Sequence, residues 1–560
     1  MSNIASARQG VKNIPEICHR HGLSKAVICP GSRNAPLILT FTSHPAIDCI
    51  SITDERSAGY FALGMSQLKG EPVAIVCTSG TAVLNIAPSV SEAYYQNLPL
   101  VIFTADRPKE WIDQADGQTI RQTEIFRNYV KQSFEVPLET IHNDDLWHFN
   151  RIVSQALDTA TKYPAGPVHI NVPLREPLYT PLPNEFIIGN ITKTIGTHQH
   201  LAEADLKSFR DKWNSFGKKM IICGILRKDN ELNKTLRELA LRKDTVVVAE
   251  NLSNITGEEI IFAPESLVAS LSDEEKNNFK PDLLITIGEG IVSKRLKQYL
   301  RAFAPAEQWH FGTSGNYTDT YKSLSVILEA DPTGFLNLMK QEPEKEDYSG
   351  LKKKNKAQAD LFSKYIQKVE LNDIRVIHDV LREIPENSIV HLANSTPVRL
   401  AQLCPSRENI HYFCNRGTSG IDGCTSTAAG SAYLSGKPVY LITGDLAFIY
   451  DSNALWTYIP ELNLKIIVIN NNGGNIFSLI ESSPEMNKAR SYFETPHKVK
   501  IKSLAEAYGA GYYECSSVEK LNEAMRNLNN HQGTCILEIR TDAKMNTKVY
   551  KEYYQYIKHS

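Results

Sequence analysis

The stretch 439-VYLITGDLAFIYDSNALWTYIPELNLKIIVINNNGGNIF-477 carries more chemistry than any other part of the chain. It reads as a β-branched run (Val439 to Thr443), Gly444-Asp445, a helical segment, and a second apolar run (Ile466 to Ile469). It ends in Asn470-Asn471-Asn472-Gly473-Gly474-Asn475-Ile476-Phe477. Two parallel strands joined by a helix present their carboxyl ends along one edge of a sheet. Asp445 offers a carboxylate there, Asn471 an amide oxygen and Gly473 a backbone carbonyl. A hard cation such as Mg²⁺ takes oxygen ligands in octahedral geometry and commonly bridges to phosphate oxygens. The glycines let the backbone approach phosphate groups, and the following helix N-terminus can donate N–H groups to them. Either half alone reads as structure, an Asp cap or an Asn-Gly turn. Twenty-six positions apart, on consecutive strands, the two point to a site for a cation and a phosphorylated ligand.

The same grammar recurs outward from this stretch. Short β-branched runs lie at Ala26 to Cys29, Pro72 to Thr78, Leu100 to Thr104 and Val168 to Val172. Others are Met220 to Cys223, Thr245 to Ala249, Leu283 to Ile287, Ile389 to Leu392 and Cys535 to Ile539. Runs apolar throughout, rather than alternating, suit strands covered on both faces. Alternation with helical stretches implies parallel sheets of βαβ units. Pro181 to His200 and the charged run Gln341 to Lys356, QEPEKEDYSGLKKKNK, read as linkers. The expectation is an α/β chain of three open parallel-sheet domains near 1–185, 190–345 and 365–560. Small, polar and charged residues follow the strands of the first and third domains: Pro30-Gly31-Ser32-Arg33, Ser79-Gly80-Thr81, Ala105-Asp106-Arg107-Pro108 and Asn394-Ser395-Thr396. The middle domain offers less: Gly288-Glu289-Gly290, then Ser293-Lys294-Arg295.

Bulk composition narrows the function. The chain has 560 residues, 42% of them hydrophobic, and a net charge of −2 from 61 basic and 63 acidic side chains. That balance argues against a dedicated nucleic-acid binder. The first residues lack the apolar core of a signal peptide, and no stretch approaches the roughly 20 apolar residues of a membrane span. The expected location is the cytoplasm. Ten cysteines are scattered without a Cys-x-x-Cys pair. Cys29, Cys77, Cys223 and Cys535 read as small buried hydrophobes, and the spacing of Cys404, Cys414 and Cys424 fits no common metal site. His21, His44 and His169 read as structural.

The 439–477 stretch resembles the thiamine diphosphate signature: Gly-Asp-Gly and, about 25 to 30 residues on, Asn-Asn. Leu446 stands where that signature has its second glycine. Thiamine needs a carboxyl group against its pyrimidine ring, where hydrogen bonding favours the imino tautomer. The cofactor does the hard chemistry and the protein positions it. In 53-TDERSAGYFALG-64 a strand end enters a helix. Asp54 and Glu55 are neighbours, and composition does not choose between them. The resemblance chooses Glu55. In thiamine enzymes this glutamate faces the diphosphate domain of another subunit, which implies a homodimer or homotetramer with active sites between subunits.

The segments ICPGSRNAPL, TDERSAGYFALG, TSGTAVLN, TADRP, GQTIRQ, SKRL, NSTPVR, NRGTSGIDG and NNNGGNIFSL narrow the resemblance. Together they resemble the 2-succinyl-5-enolpyruvyl-6-hydroxy-3-cyclohexene-1-carboxylate synthase family of menaquinone biosynthesis, over essentially the whole chain. The resemblance implies three domains: pyrimidine-binding, central Rossmann-like and diphosphate-binding. It implies a transferase that decarboxylates 2-oxoglutarate and adds the succinic semialdehyde carbanion to isochorismate, using thiamine diphosphate and Mg²⁺ or Mn²⁺. It implies Asp445, Asn471 and Gly473 as metal ligands. Cofactor contacts fall on Glu55, Ile421, Gly444, Asp445, Asn471, Gly473, Gly474, Ile476 and Phe477. Substrate contacts fall on Ser32, Arg33, Arg107, Gln118, Lys294, Arg295, Ser395, Arg399 and Arg416. Arginine suits substrates with several carboxylates because its planar fork binds them bidentately. Gly117 stands where some relatives carry Asn, so a side-chain contact from that position is absent. Two other readings compete: an acetolactate synthase-like thiamine carboligase, and a Rossmann-type nucleotide-binding regulatory protein centred on Gly288-Glu289-Gly290. An allosteric site in the central domain is a further possibility on which the sequence is silent.

Overall fold

A computed structural model describes residues 7–194, 201–313, 316–457, 459, 462–479 and 488–559. Three parallel sheets organise them. The first contains β1 (Lys25–Ile28), β2 (Asp48–Ser51), β3 (Val73–Cys77), β4 (Leu100–Asp106), β5 (Gln132–Glu135) and β6 (Val168–Pro173), in the order β2-β1-β3-β4-β6-β5. The second contains β7 (Lys219–Cys223), β8 (Thr245–Ala249), β9 (Leu283–Ile287), β10 (Glu307–Phe311) and β11 (Leu324–Leu328), in the order β11-β10-β9-β7-β8. The third contains β12 (Ile389–Leu392), β13 (His411–Phe413), β14 (Val439–Gly444), β15 (Leu464–Asn470), β16 (Gly511–Cys515) and β17 (Cys535–Arg540), in the order β13-β12-β14-β15-β17-β16.

The apolar runs read from the sequence all form strands. Every residue of β3, β4, β6, β7, β8, β9, β12 and β17 except Arg540 is buried, because helices cover both sheet faces. Each Val, Ile or Leu so buried contributes about 1.5–3 kcal/mol relative to exposure. Cys29, Cys77, Cys223 and Cys535 are fully buried among them. In each sheet the strand order first reverses beside the sheet's first strand: between β1 and β3, β7 and β9, and β12 and β14. Ligand crevices of open α/β sheets form beyond the carboxyl ends at such points.

The chain packs as two compact units: Met1–Gly196 with Asn415–Val439 and Phe448–Leu464, and Thr197–Cys414 with Tyr440–Ala447 and Lys465–Ser560. This division differs from the one by sheets. The second and third sheets share a unit, and the helix Cys424–Leu434 joins the first. That helix packs against the helix Glu55–Lys69 at backbone contact. A Cβ on Gly64 would lie 1.9 Å from the Thr427 carbonyl oxygen, and one on Gly430 would lie 1.9 Å from that of Phe61. The Ser431 hydroxyl donates to the Gly64 carbonyl at 3.0 Å.

The charged run 341–356 is a partial exception to its reading as a solvated linker. Its second half begins the helix Ser349–Ile366, and Tyr348, Leu351 and Lys352 are buried. The Lys352 ammonium donates to the carbonyls of Ala240 and Arg242, where the helix Asn230–Leu241 ends. A cation satisfies the orphan carbonyls of a helix C-terminus, so the lysine serves the core. Residues 181–194 do lack regular structure, and Asn13 anchors them through the backbone of Ile187. The rest of that stretch, 195–200, lies outside the described residues.

Candidate active site

The third sheet sets three chain segments side by side, because β12, β14 and β15 are neighbours. Ser395 follows β12, Asp445 follows β14 and Asn471 follows β15. Asp445 is 2% exposed. Its carboxylate accepts from the Leu446 N–H at 2.7 Å and the Gly473 N–H at 2.9 Å. The second bond ties the two halves of the 439–477 stretch together. Burial pushes its pKa up; the two backbone N–H groups and His497, whose Nε2 lies 3.3 Å away, pull it down. Gly473 has φ +145, and a Cβ there would meet the Glu494 carbonyl oxygen at 2.5 Å, so only glycine fits.

The Asn471 amide donates through Nδ2 to Asp373 Oδ2 at 2.9 Å. Its Oδ1 is buried and has no hydrogen-bond partner. Asp373 is 3% exposed, and burial first of all raises it to about 6, with Asp445 adding repulsion. Two buried carboxyl groups and an orphaned amide oxygen thus share a small region. Buried charge and unpaired polar atoms are costly unless something compensates them. An all-oxygen set with surplus negative charge fits a hard divalent cation.

In the first unit, the helix Glu55–Lys69 starts directly after Asp54. Asp54 is the N-cap: its Oδ1 accepts from the N–H groups of Arg56 and Ser57, and its Oδ2 from Asn453 Nδ2 at 2.9 Å. The Glu55 carboxylate accepts from Asn85 Nδ2 at 3.2 Å. It lines a cavity of about 410 Å³ with Thr53, Asp54, Arg56, Asn85, Asn453 and Trp456. The neighbours that composition left equal are therefore unequal in space. Asp54 is committed to the helix start, and Glu55 faces open volume.

The other expected residues fall in varied settings. Ser32 is exposed, whereas Arg33 is buried and donates to the Leu174 carbonyl at 3.1 Å and to Glu176 at 3.1 Å. Arg107 donates to the Gly117 carbonyl at 3.0 Å and pairs with Asp116, and Gln118 is exposed with φ +55. Ser395 has φ +74, unusual for a residue with a Cβ. Its carbonyl accepts from Arg399 at 2.6 Å. Lys294 and Arg295 form the first turn of the helix Lys294–Ala302; Lys294 is exposed, and Arg295 lies 3.2 Å from Glu265 and 4.7 Å over the Tyr554 ring. Arg416, half-buried, and Ile421, 37% exposed, belong to the first unit, while Gly444, Gly474, Ile476 and Phe477 belong to the second. A Cβ on Gly444 would meet nothing within 4 Å. The structure brings Asp445, Asn471 and Gly473 together. The remaining residues lie at strand ends, on helices or in loops of one unit or the other.

The middle sheet differs. At its reversal the Glu289 N–H donates to the Ile225 carbonyl at 3.1 Å, and the Gly224 N–H to that of Ile287 at 2.8 Å. A Cβ on Gly224 would sit 1.5 Å from the Glu289 carbonyl oxygen. The two loops close on each other, which speaks against a dinucleotide at Gly288-Glu289-Gly290.

Sequence reading missed several supports. Gln122, fully buried, accepts from the Gly80 N–H at 3.0 Å and donates to the Ala105 carbonyl at 3.0 Å, joining the loop after β3 to the end of β4. Glu92, fully buried, accepts from the N–H groups of Gly417 and Thr418, each at 2.7 Å, and so holds the loop bearing Arg416. Asp373 and His497 frame the metal motif. Only GQTIRQ, which contains Gln122, signalled any of these in advance. The expected structural histidines do bond locally: His21 to Ser154 at 2.7 Å, His44 to Glu16 at 2.9 Å and His169 to Thr104 at 2.7 Å.

Comparison with known proteins matches this arrangement. Residues 8–125 match the thiamine pyrophosphate enzyme N-terminal TPP binding domain, 192–392 the middle domain of thiamine pyrophosphate enzymes, and 395–539 the C-terminal TPP binding domain. The chain is similar to curated proteins named 2-succinyl-5-enolpyruvyl-6-hydroxy-3-cyclohexene-1-carboxylate synthase. One, from Flavobacterium johnsoniae, is 38% identical, covering 97% of this chain and 98% of the relative. Another, from Bacteroides thetaiotaomicron, is 36% identical over 99% of both. A third, from Desulfotalea psychrophila, is 36% identical over 96% of this chain and 99% of the relative. With three domain models matched and full-length relatives of one name, the chain belongs to the 2-succinyl-5-enolpyruvyl-6-hydroxy-3-cyclohexene-1-carboxylate synthase family of thiamine diphosphate enzymes.

Proposed function

We propose that this chain decarboxylates 2-oxoglutarate and joins the remaining four-carbon fragment to isochorismate, releasing CO2 and forming 2-succinyl-5-enolpyruvyl-6-hydroxy-3-cyclohexene-1-carboxylate for menaquinone biosynthesis. The observation that carries the reading is the orphaned, buried Asn471 Oδ1 beside Asp445, at the strand ends where a chain of this family needs its cation. Thiamine diphosphate, when bound, supplies the electron sink for loss of CO2 from a 2-oxo acid.

The chain's own residues do the rest. Asp445, Asn471 and the Gly473 carbonyl would hold Mg²⁺ or Mn²⁺, both hard cations that take oxygen ligands. Gly444, Gly474, Ile476, Phe477 and Ile421 contact the cofactor. Glu55, whose side chain lines the cavity, would hydrogen-bond the cofactor's pyrimidine ring. Ser32, Arg33, Arg107, Gln118, Lys294, Arg295, Ser395, Arg399 and Arg416 receive the substrates' carboxylates and hydroxyls, the arginines through bidentate forks. Pyrimidine-binding, central and diphosphate-binding domains span 1–185, 190–345 and 365–560. The enzyme acts as a cytoplasmic homodimer or homotetramer whose active sites form between subunits. No helix among the described residues is long and apolar enough to cross a membrane.

An acetolactate synthase-like carboligase would keep Glu55, Asp445 and Asn471 but would not need so many arginines. The test is isochorismate consumption followed by absorbance, with thiamine diphosphate, Mg²⁺ and 2-oxoglutarate. Consumption that requires all three, and falls by about 10²–10⁴-fold in Glu55→Gln, the usual scale for a lost acid–base group, supports the proposal. Consumption with pyruvate in place of 2-oxoglutarate, or none from folded protein that still binds the cofactor, overturns it.

A further inference from the structure

An amide side chain is ambiguous as a metal ligand. Its oxygen coordinates a hard cation and its NH2 group repels one, yet the two ends have nearly the same shape. Something must decide which end of Asn471 faces the cation. A closed chain of hydrogen bonds beside it has a polarity that can be followed atom by atom.

The chain starts at a group whose direction is fixed. The backbone N–H of Asp373 can only donate, and it donates to Asn546 Oδ1 at 2.9 Å. The Asn546 amide therefore presents Nδ2 to Thr541, where it donates to Oγ1 at 3.2 Å. The Thr541 hydroxyl, accepting on that side, donates its own proton to Asp373 Oδ1 at 2.6 Å. The remaining oxygen, Oδ2, meets Asn471 at 2.9 Å. Oδ2 accepts there, so the NH2 group is the end of the Asn471 amide that faces Asp373. Oδ1 is left buried and without a partner. Thr541 is itself tied to the metal loop, since its N–H donates to the Asn470 carbonyl at 3.0 Å.

Resting on the functional reading above, we propose that Asp373 is a positioning residue of the metal centre, one that sets the flip of the Asn471 amide and so gives the cation its oxygen. It stands 98 residues before Asn471, at the start of the helix Asp373–Glu383, where Asn372 rather than Asp373 caps the helix. The cap leaves the Asp373 carboxylate unneeded by its own helix. Metal-site supports of this kind typically govern affinity by about 10–100-fold.

The hydrogen-bond polarity supplies a specific test. In Asp373→Asn the new Oδ1 continues to accept from Thr541, so its NH2 group meets Asn471 donor to donor. Asn471 is then driven to flip. In the double variant Asp373→Asn/Asn471→Asp the donor and acceptor are exchanged, and a carboxylate oxygen again faces the cation. Mn²⁺ affinity would be measured by paramagnetic resonance of free Mn²⁺ in the presence of thiamine diphosphate, alongside melting of the metal-free, cofactor-free proteins. The proposal expects Asp373→Asn to weaken Mn²⁺ by about 10–100-fold, metal-free melting to stay at the wild-type value, and the double variant to recover most of the affinity. Wild-type Mn²⁺ affinity in Asp373→Asn, or no recovery in the double variant, overturns the positioning role and leaves the functional reading standing. Failure of the wild-type protein itself to bind Mn²⁺ with the cofactor overturns both.

Discussion

The second unit contains the same local sentence twice, and only one copy reads as a site. Gly288-Glu289-Gly290 follows β9 and Gly444-Asp445-Leu446 begins on the last residue of β14, each next to the point where strand order reverses. By glycine count the first is the better ligand-binding turn. Yet the Glu289 backbone is bonded into the facing loop and its side chain is exposed. The Asp445 side chain is buried and held by two N–H groups, and Gly444 has open space beside it. The facing strand's loop makes the difference. After β7 it is Gly224-Ile225-Leu226, small and apolar, and it closes on its partner. After β15, which flanks β14 on the side away from its reversal, the loop is Asn471-Asn472-Gly473-Gly474, polar, and it gives Asp445 a donor while leaving an acceptor unsatisfied. A strand-end motif is thus half a statement, and its neighbour in the sheet completes it.

The largest effect should separate the two acids. Asp445→Ala is expected to abolish tight Mn²⁺ binding in the presence of thiamine diphosphate and to lower kcat/KM by about 10³-fold or more, the scale of several kcal/mol of lost charge stabilisation. Glu289→Ala is expected to stay within about twofold, as an exposed side chain outside the machinery should. Equal losses in the two variants would erase the distinction. The two glycines come next, with opposite signatures. Gly224→Ala forces a methyl group to 1.5 Å from a backbone oxygen that is itself fixed in a loop. Overpacking of this kind costs about 1–3 kcal/mol or more, read as a lower melting temperature without ligand. Gly444→Ala meets open space, so stability without ligand should hold or rise by up to about 1 kcal/mol. Thiamine diphosphate affinity should fall about tenfold, roughly 1.4 kcal/mol, as the methyl group occupies the cofactor's approach. Unchanged affinity in Gly444→Ala would mean that the open space is not where the cofactor sits.

What the sequence disclosed follows from the same physics. Strands covered on both faces advertise themselves as unbroken apolar runs, and all of those were visible. Those not among the apolar runs are β2, β5, β10, β11, β13 and β16, and all but β10 lie at sheet edges. Edge strands that stay partly open to water, such as Gln132–Glu135 and Gly511–Cys515, carry polar residues and lose the signal, whereas the edge strand β8 is buried throughout and keeps it. β2 was inferred only from the helix start that follows it. The metal motif was legible because its ligands lie within one strand–helix–strand unit at a fixed spacing. Asp373 and Glu92 were not, because each acts on a partner brought near only by tertiary packing: 98 residues away for Asp373 with Asn471 and 325 for Glu92 with Gly417. The choice of Glu55 over Asp54 rested on family likeness, and the capping bonds of Asp54 supply its physical reason.

The smallest effect tests whether the missing glycine at 446 matters. Leu446 is half-buried in the second position of the helix Asp445–Tyr450, and its contribution to Asp445 is a backbone N–H. Glycine retains that donor. Leu446→Gly should therefore restore the family's Gly-Asp-Gly with Mn²⁺ affinity and kcat/KM within about threefold of wild type, well under 1 kcal/mol. Stability should fall by about 1–2 kcal/mol, from the lost apolar contact and the added backbone freedom. A tenfold change in Mn²⁺ affinity in either direction would show that the leucine side chain shapes the site. In that case the contrast with Gly288-Glu289-Gly290 would belong partly to the motif itself, and not to the facing loop alone.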